Sequence, residues 1–121
     1  GEDGLIVVDP LTTVETATAA LALARKHLGD APIKAVILTH SHIDHFGGMP
    51  AVVSPEDVAS GKVKIVAPKD FVEEATSENV LAGVAMGRRA AFMYGFALER
   101  GPRGHVDSGL GKAPARGTFG I

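Results

Sequence analysis

An α/β fold with a largely parallel sheet is the architecture predicted by this chain of 121 residues. Three observations predict it. Apolar β-branched runs alternate with helical periodicity in the order strand, helix, strand, short helix, strand. The long helical run between the first two strands has a single apolar face. The ligand-rich turn THSHIDH begins where the second strand ends, and open α/β sheets bind their ligands at the carboxyl ends of strands.

The first strand is LIVV, Leu5 to Val8, closed by Asp9-Pro10. The next element, a helix, is read from TTVETATAALALARKHLG. Thr12 and Glu15 stand at capping-box spacing, and Gly29 is placed as the stop. Val14, Ala17, Leu21, Ala24 and Leu28 recur at intervals of three and four, which predicts one face packed on the sheet. IKAVILT, residues 33–39, is a second strand, apolar on both faces as a central strand must be. GGMPAVVS reads as a turn with a short helix, EDVASGK as exposed, and VKIVAP, residues 63–68, as the third strand.

From Asp70 the chain reads as helix, broken near residues 75–77, with Thr76 or Ser77 capping a second helix. Met86, Phe92 and Met93 are expected in the core. Residues 99–120 show no periodicity and form a long glycine-rich loop, a length that in a compact domain marks function or disorder. No internal repeat or domain boundary is visible.

Bulk properties exclude several function classes. A formal charge of −2 leaves no electrostatic footprint for nucleic acid or for an anionic membrane. No apolar run reaches the roughly 18 residues of a membrane span. The chain has 0 cysteines, so disulfides and thiolate metal sites are out of reach. It opens on GEDGLIVVDP, without initiator methionine or signal peptide, and closes on GTFGI. It is therefore expected to be a piece of a larger protein, and its localisation is not legible.

The chemistry is concentrated in ILTHSHIDHFGGM, which holds three of the 5 histidines. In extended chain, side chains two apart point the same way, so His40 and His42 can reach one metal ion together. Asp44 and His45 lie past the bend and can face a second. Imidazole with carboxylate and no thiolate suits Zn²⁺ and tolerates iron or manganese. Gly47-Gly48 is expected to let the backbone turn sharply close to the metals.

The order H-x-H-x-D-H after an apolar strand and before Gly-Gly resembles the signature of the metallo-β-lactamase superfamily. The block from Ser77-Glu78-Asn79 to Tyr94-Gly95, taken with VVDPLTTVETA and RGPRGHVDSGLGK, is similar to the alkyl sulfatase branch of that superfamily, the SDS-hydrolase type. The likeness runs over essentially the whole chain. It implies part of an αββα sandwich, so that residues 1–121 are the N-terminal portion of an incomplete catalytic domain. It implies two zinc ions, His40 and His42 on one and Asp44 and His45 on the other, and hydrolysis of an alkyl sulfate to alcohol and sulfate by a metal-bridged water. Asp9 matches an aspartate that supports the metal loop in that fold; from the residues alone it reads equally as an Asp-Pro turn. The remaining ligands, two carboxylates and a histidine, and the general acid are implied beyond residue 121, and a homodimer is implied for the intact protein. Two other readings stand beside this one. One is a hydrolase of the same fold acting on lactam, thioester or phosphoester bonds. The other is a non-catalytic fragment with an incomplete metal site and exposed apolar surface.

Other candidates are weighed against ordinary roles. Arg88, Arg89 and Tyr94 are candidates for an anionic substrate pocket, because guanidinium pairs well with sulfate oxygens; surface pairing is the commoner fate. Glu73, Glu74 and Glu78 read as a solvated face or as acids complementing a helix N-terminus, and are not assigned to metal. His27 reads as a structural cation at a helix C-terminus and His105 as a solvated loop residue. GLGKAPARG lacks the glycine spacing and the Ser/Thr of a phosphate-binding loop, which excludes nucleotide binding there.

Overall fold

The computed structural model describes residues 1–107, Thr118 and Gly120. Three strands form one parallel sheet in the order β1 (Leu5–Val8), β2 (Ile33–Ile37), β3 (Lys64–Val66), with β2 in the centre. Val8 lies opposite Ile37, and Ile37 opposite Val66. The connections carry α1 (Val14–Leu28), α2 (Ile43–Phe46), a 3₁₀ turn (Met49–Ala51) and α3 (Pro55–Ala59). After β3 come α4 (Phe71–Thr76), a π turn (Ser77–Leu81) and α5 (Gly83–Tyr94). The strand and helix order matches the α/β expectation.

The core forms where β2 meets the elements after it. Val36 is fully buried, and around it pack Leu38, Phe46, Met49, Val63 and Phe71. The Phe46 and Phe71 rings meet edge to face with centroids 5.3 Å apart, a contact contributing about 0.5–1.5 kcal/mol beyond its area. This pair ties α2, which carries part of the histidine cluster, to α4. On the other sheet face Ile6, Val8 and Val66 are exposed.

Several local expectations shift. The α1 cap is Thr13, not Thr12. The Thr13 hydroxyl accepts from the Thr16 amide at 3.2 Å, and the Thr16 hydroxyl accepts from the Thr13 amide at 3.2 Å. Two threonines thus close the box in place of Thr12 and Glu15. Gly29 does end the helix, at φ 86°, with its N–H on the Arg25 carbonyl. The apolar stripe stops a turn early: Ala17 is buried, Val14, Leu21 and Ala24 are half-buried, and Leu28 is exposed.

The helical stretch after Asp70 is not divided by a cap. The Thr76 hydroxyl donates to the Val72 carbonyl at 2.8 Å, and neither Thr76 nor Ser77 caps a second helix. The chain widens instead into the π turn and resumes as α5. Met86, Phe92 and Met93 are exposed rather than core, because no described element packs on their side of α5.

Gly47 and Gly48 have φ of −59° and −87°, which any residue adopts. Their lack of a side chain serves close approach instead. A Cβ on Gly47 would strike the Thr12 carbonyl, and one on Gly48 the Pro10 carbonyl. The glycine-rich segment 108–117, which holds GLGKAPARG, lies outside the described residues. Among the described residues no helix is long and apolar enough to cross a membrane.

Candidate metal centre

The carboxyl ends of β1 and β2 build the site together. The Asp9 amide donates to the Ile37 carbonyl at 2.9 Å as the last rung of the β1–β2 ladder. Beyond it the Asp9 side chain takes over: Oδ1 accepts from the Thr39 amide at 2.8 Å and Oδ2 from the Thr39 hydroxyl at 2.6 Å. The ladder therefore continues through a side chain, and the strand expected over 33–39 ends at Ile37. Asp9 and Leu11 hold φ of 52° and 63° around Pro10, left-handed geometry that costs a non-glycine residue about 1–2 kcal/mol. The hydrogen bonds to the Asp9 carboxylate offset that strain. The Asp-Pro turn thus also holds Thr39 and His45 of the histidine-bearing loop.

The hydrogen-bond directions assign the histidine tautomers. Burial acts to raise the Asp9 carboxyl, but the Thr39 hydroxyl and amide and then His45 outweigh it and hold its pKa below the ordinary value, so it is an acceptor only. The one proton of the Thr39 hydroxyl goes to Asp9, so at 2.9 Å that oxygen accepts from Nδ1–H of His40. His42 donates from Nε2 to Glu78 Oε1 at 2.7 Å. His45 donates from Nδ1 to Asp9 Oδ2 at 2.9 Å.

On each imidazole one nitrogen is thus held from outside the cluster and the other is turned inward, where two close contacts form. His40 Nε2 lies 3.0 Å from His42 Nδ1, and His45 Nε2 lies 3.3 Å from Asp44 Oδ2. Two lone pairs at such distances repel unless a cation, a proton or a metal ion, sits between them. Atoms each about 2.0–2.2 Å from a tetrahedral zinc lie roughly 3.4 Å apart, close to the His45–Asp44 spacing and somewhat longer than the His40–His42 one. The two pairs adjoin, with the His40 and His45 rings 4.0 Å apart between centroids. The donor set fits a divalent ion of intermediate softness. A third grouping, Asp9, His40 and His45, also offers three ligand atoms within 4.8 Å of one another. Both Asp9 oxygens accept hydrogen bonds, and the one to Oδ2 from His45 Nδ1 orients the His45 ring.

Glu78, expected on a solvated face, is engaged instead. Its Oε1 holds His42 and its Oε2 accepts from the Ser41 hydroxyl at 3.2 Å. The neighbouring Asn79 donates to the Ser41 carbonyl at 2.9 Å. Nothing in local spacing signals a contact across 36 positions; the π turn creates it. Glu73 and Glu74 are exposed as expected. His105 is buried, not solvated: its Nδ1 donates to the Tyr94 carbonyl at 2.7 Å and its ring meets Phe96 edge-on, so it pins the turn after α5. His27 is exposed at the end of α1. Arg88 and Arg89 are exposed, Tyr94 is half-buried, and no contact among the described residues joins them to the histidine cluster.

Parallel strands with imidazole and carboxylate side chains gathered at their carboxyl ends define an α/β protein with a candidate metal site. The family model of the metallo-beta-lactamase superfamily matches residues 1–116, and the chain belongs to that superfamily, whose members bind divalent metal. It is 52% identical over 118 residues to a linear primary-alkylsulfatase from Pseudomonas sp, covering 98% of this chain and 18% of that one. It is 47% identical over 118 residues to an alkyl/aryl-sulfatase of Saccharomyces cerevisiae, again covering 98% of this chain and 18% of the relative. The solved structure of a stereoselective inverting sec-alkylsulfatase from Pseudomonas sp. superposes with a TM-score of 0.79 at 50% identity, over 98% of this chain and 18% of that one. The chain thus spans about a fifth of the length of the relatives it matches.

Proposed function

We propose that this chain supplies the first metal-binding segment of a zinc-dependent alkyl sulfatase. The observation that carries the reading is the pair of close contacts, His40 Nε2 with His42 Nδ1 at 3.0 Å and His45 Nε2 with Asp44 Oδ2 at 3.3 Å, just past the end of the central strand. The class of substrate rests on the relatives, which are named alkylsulfatases or alkyl/aryl-sulfatase and align with 95–98% of the chain at 47–52% identity.

His40 and His42 would hold one ion, and Asp44 and His45 the other. Divalent ions at these positions would stabilise negative charge on a sulfate ester and lower the pKa of an attacking water. The chain's own part is to keep three imidazoles in the tautomer that presents a lone pair inward. Thr39, Glu78 and Asp9 do this from outside the cluster. A catalytic zinc takes about three protein ligands, and the cluster offers two to each ion, so in this reading further ligands come from elsewhere in the complete protein. Arg88, Arg89 and Tyr94 are proposed to contact the sulfate. Neither guanidinium is engaged in an ion pair among the described residues, which leaves both forks open to an anion.

The test is hydrolysis of dodecyl sulfate by the complete, zinc-loaded protein, measured beside a chromogenic cephalosporin. Release of sulfate with no lactam opening, abolished by the double substitution His40→Ala/His42→Ala, is the expected result. Lactam opening without sulfate release would instead assign the protein to another activity of the same fold.

A further inference from the structure

We infer that Glu78 is a positioning residue of the metal centre: it fixes His42 so that Nδ1, not Nε2, faces the ion. The inference rests on the metal reading above and adds to it a residue on a different element, 36 positions away. Three observations meet in it. The carboxylate reaches His42 Nε2 at 2.7 Å, the shortest hydrogen bond that any of the three clustered imidazoles makes. Its second oxygen takes the Ser41 hydroxyl at 3.2 Å, so one side chain grips two successive residues of the loop. Asn79 adds a bond from Nδ2 to the Ser41 carbonyl at 2.9 Å and another to the Ala75 carbonyl at 2.8 Å.

The π turn explains how adjacent residues do this together. Glu78 and Asn79 both lie in the π turn, and both side chains reach residues 41 and 42 of the loop. The widened turn over Ser77–Leu81 aims both at residues 41 and 42. Single π turns inside helical segments occur frequently at functional sites. The buried Phe71, against Phe46, anchors the start of that segment to the loop it serves.

His42 needs such a partner more than its neighbours do. Its side chain is 48% exposed, against 32% for His45, and β2 has already ended. Asp9 holds His45 and Thr39 holds His40, both from the strand ends; for His42 the equivalent hold comes from the π turn. An anionic acceptor on Nε2–H also makes Nδ1 a stronger donor to a cation.

The test uses the complete protein in apo form, Zn²⁺ and Co²⁺ as probes, and three variants: Glu78→Gln, Glu78→Ala and Glu78→Leu. Zinc affinity is measured by chelator competition, and the Co²⁺ site by its visible absorption. Nitrogen NMR of the apo protein reads the His42 tautomer directly. The expected results are Nε2–H on His42 in the wild type, about 10–100-fold weaker zinc binding in Glu78→Ala and Glu78→Leu, and an altered Co²⁺ spectrum in both. Glu78→Gln, which keeps an acceptor oxygen, should recover part of the loss. A merely structural role would lower the melting temperature and leave affinity and Co²⁺ spectrum unchanged; that outcome overturns the inference. So does Nδ1–H on His42 in the wild type, a result that requires no variant to fold. If the wild type binds zinc and the variants bind it equally, the positioning role fails alone. If the wild type binds none, the metal reading fails and takes this role with it.

Discussion

His40 Nε2 and His42 Nδ1 face each other at 3.0 Å, while the opposite ring nitrogens are held by Thr39 and Glu78. A metal ion taken up between these two nitrogens would bind the folded state, which brings them together, and not the unfolded chain. Zinc should therefore stabilise the fold by mass action, by about 2.7 kcal/mol at a free concentration one hundred times the dissociation constant. The melting temperature should rise with zinc and fall again with chelator. In His40→Ala/His42→Ala the zinc-dependent rise should shrink or vanish. Equal zinc-dependent rises in wild type and double variant would place the binding elsewhere.

Asp9→Asn separates charge from conformation. Asparagine tolerates the left-handed backbone that Asp9 holds at φ 52°, so the turn itself survives. The substitution removes the second acceptor oxygen and the negative charge facing three donors, the Thr39 amide, the Thr39 hydroxyl and His45 Nδ1–H. Hydrogen bonds to a charged group contribute about 1.5–3 kcal/mol, and the amide keeps part of that. Denaturant unfolding should show a loss of about 1–3 kcal/mol, with weaker zinc binding because His45 is no longer oriented. Asp9→Ala should cost more, since it adds strain at the same φ. Unchanged stability in both variants would show that Asp9 does not hold the loop.

The comparison of sequence with structure divides along sequence separation. His40, His42, Asp44 and His45 are legible as a cluster because they fall within six positions at the end of an apolar run, and the short turn from β2 into α2 keeps them together. The parallel sheet is legible because its strands are short and apolar. Glu78 is not, because helical periodicity assumes a regular turn and the π turn breaks that assumption. His105 escapes for a related reason: its burial comes from a fold-back onto Tyr94 and Phe96, not from local pattern. Phe92 is apolar yet 95% exposed, because apolar residues mark a surface able to be buried without saying what covers it. The capping box moves from Thr12 to Thr13 because TTVET offers two registers, and a threonine at the third position closes the box as well as glutamate does.

Gly48→Ala should be damaging although its backbone is ordinary. The new methyl would collide with the Pro10 carbonyl and approach the Thr13 carbonyl and the Ala17 Cβ, each at 2.7 Å. Backbone oxygens cannot swing aside as a flexible side chain can. A cost of about 1–3 kcal/mol or more is expected, with the turn after the metal loop pushed off the start of α1. Gly87→Ala is the matched contrast. Gly87 lies inside α5, and a Cβ there meets nothing within 4 Å. It should stabilise by about 0.4–1 kcal/mol through the unfolded state. Chemical denaturation of the two variants side by side measures both. Equal effects would mean that the close approach of residues 10–13 to Gly48 is not a constraint.

Glu15 should give the chain a local pH dependence at low pH. Its carboxyl lies below the ordinary value of 4.5, held first by its own backbone N–H and then by the Thr118 amide and hydroxyl, with burial acting weakly the other way. The Thr118 contacts run at 3.0–3.2 Å, and the Thr118 carbonyl in turn accepts from the Val14 amide at 2.8 Å. A folded pKa below the unfolded one means that the carboxylate's contribution is fully present above the unfolded value. It is lost as pH falls through the folded value. The amide signal of Thr118 should therefore move with a midpoint below 4.5. In Glu15→Gln the same signal should stay flat through that range, since no proton is taken up there. A midpoint at or above the ordinary value in the wild type would show that Glu15 does not bind Thr118 in solution. The start of α1, one turn from the metal loop, would then be held by the Thr13–Thr16 box without it.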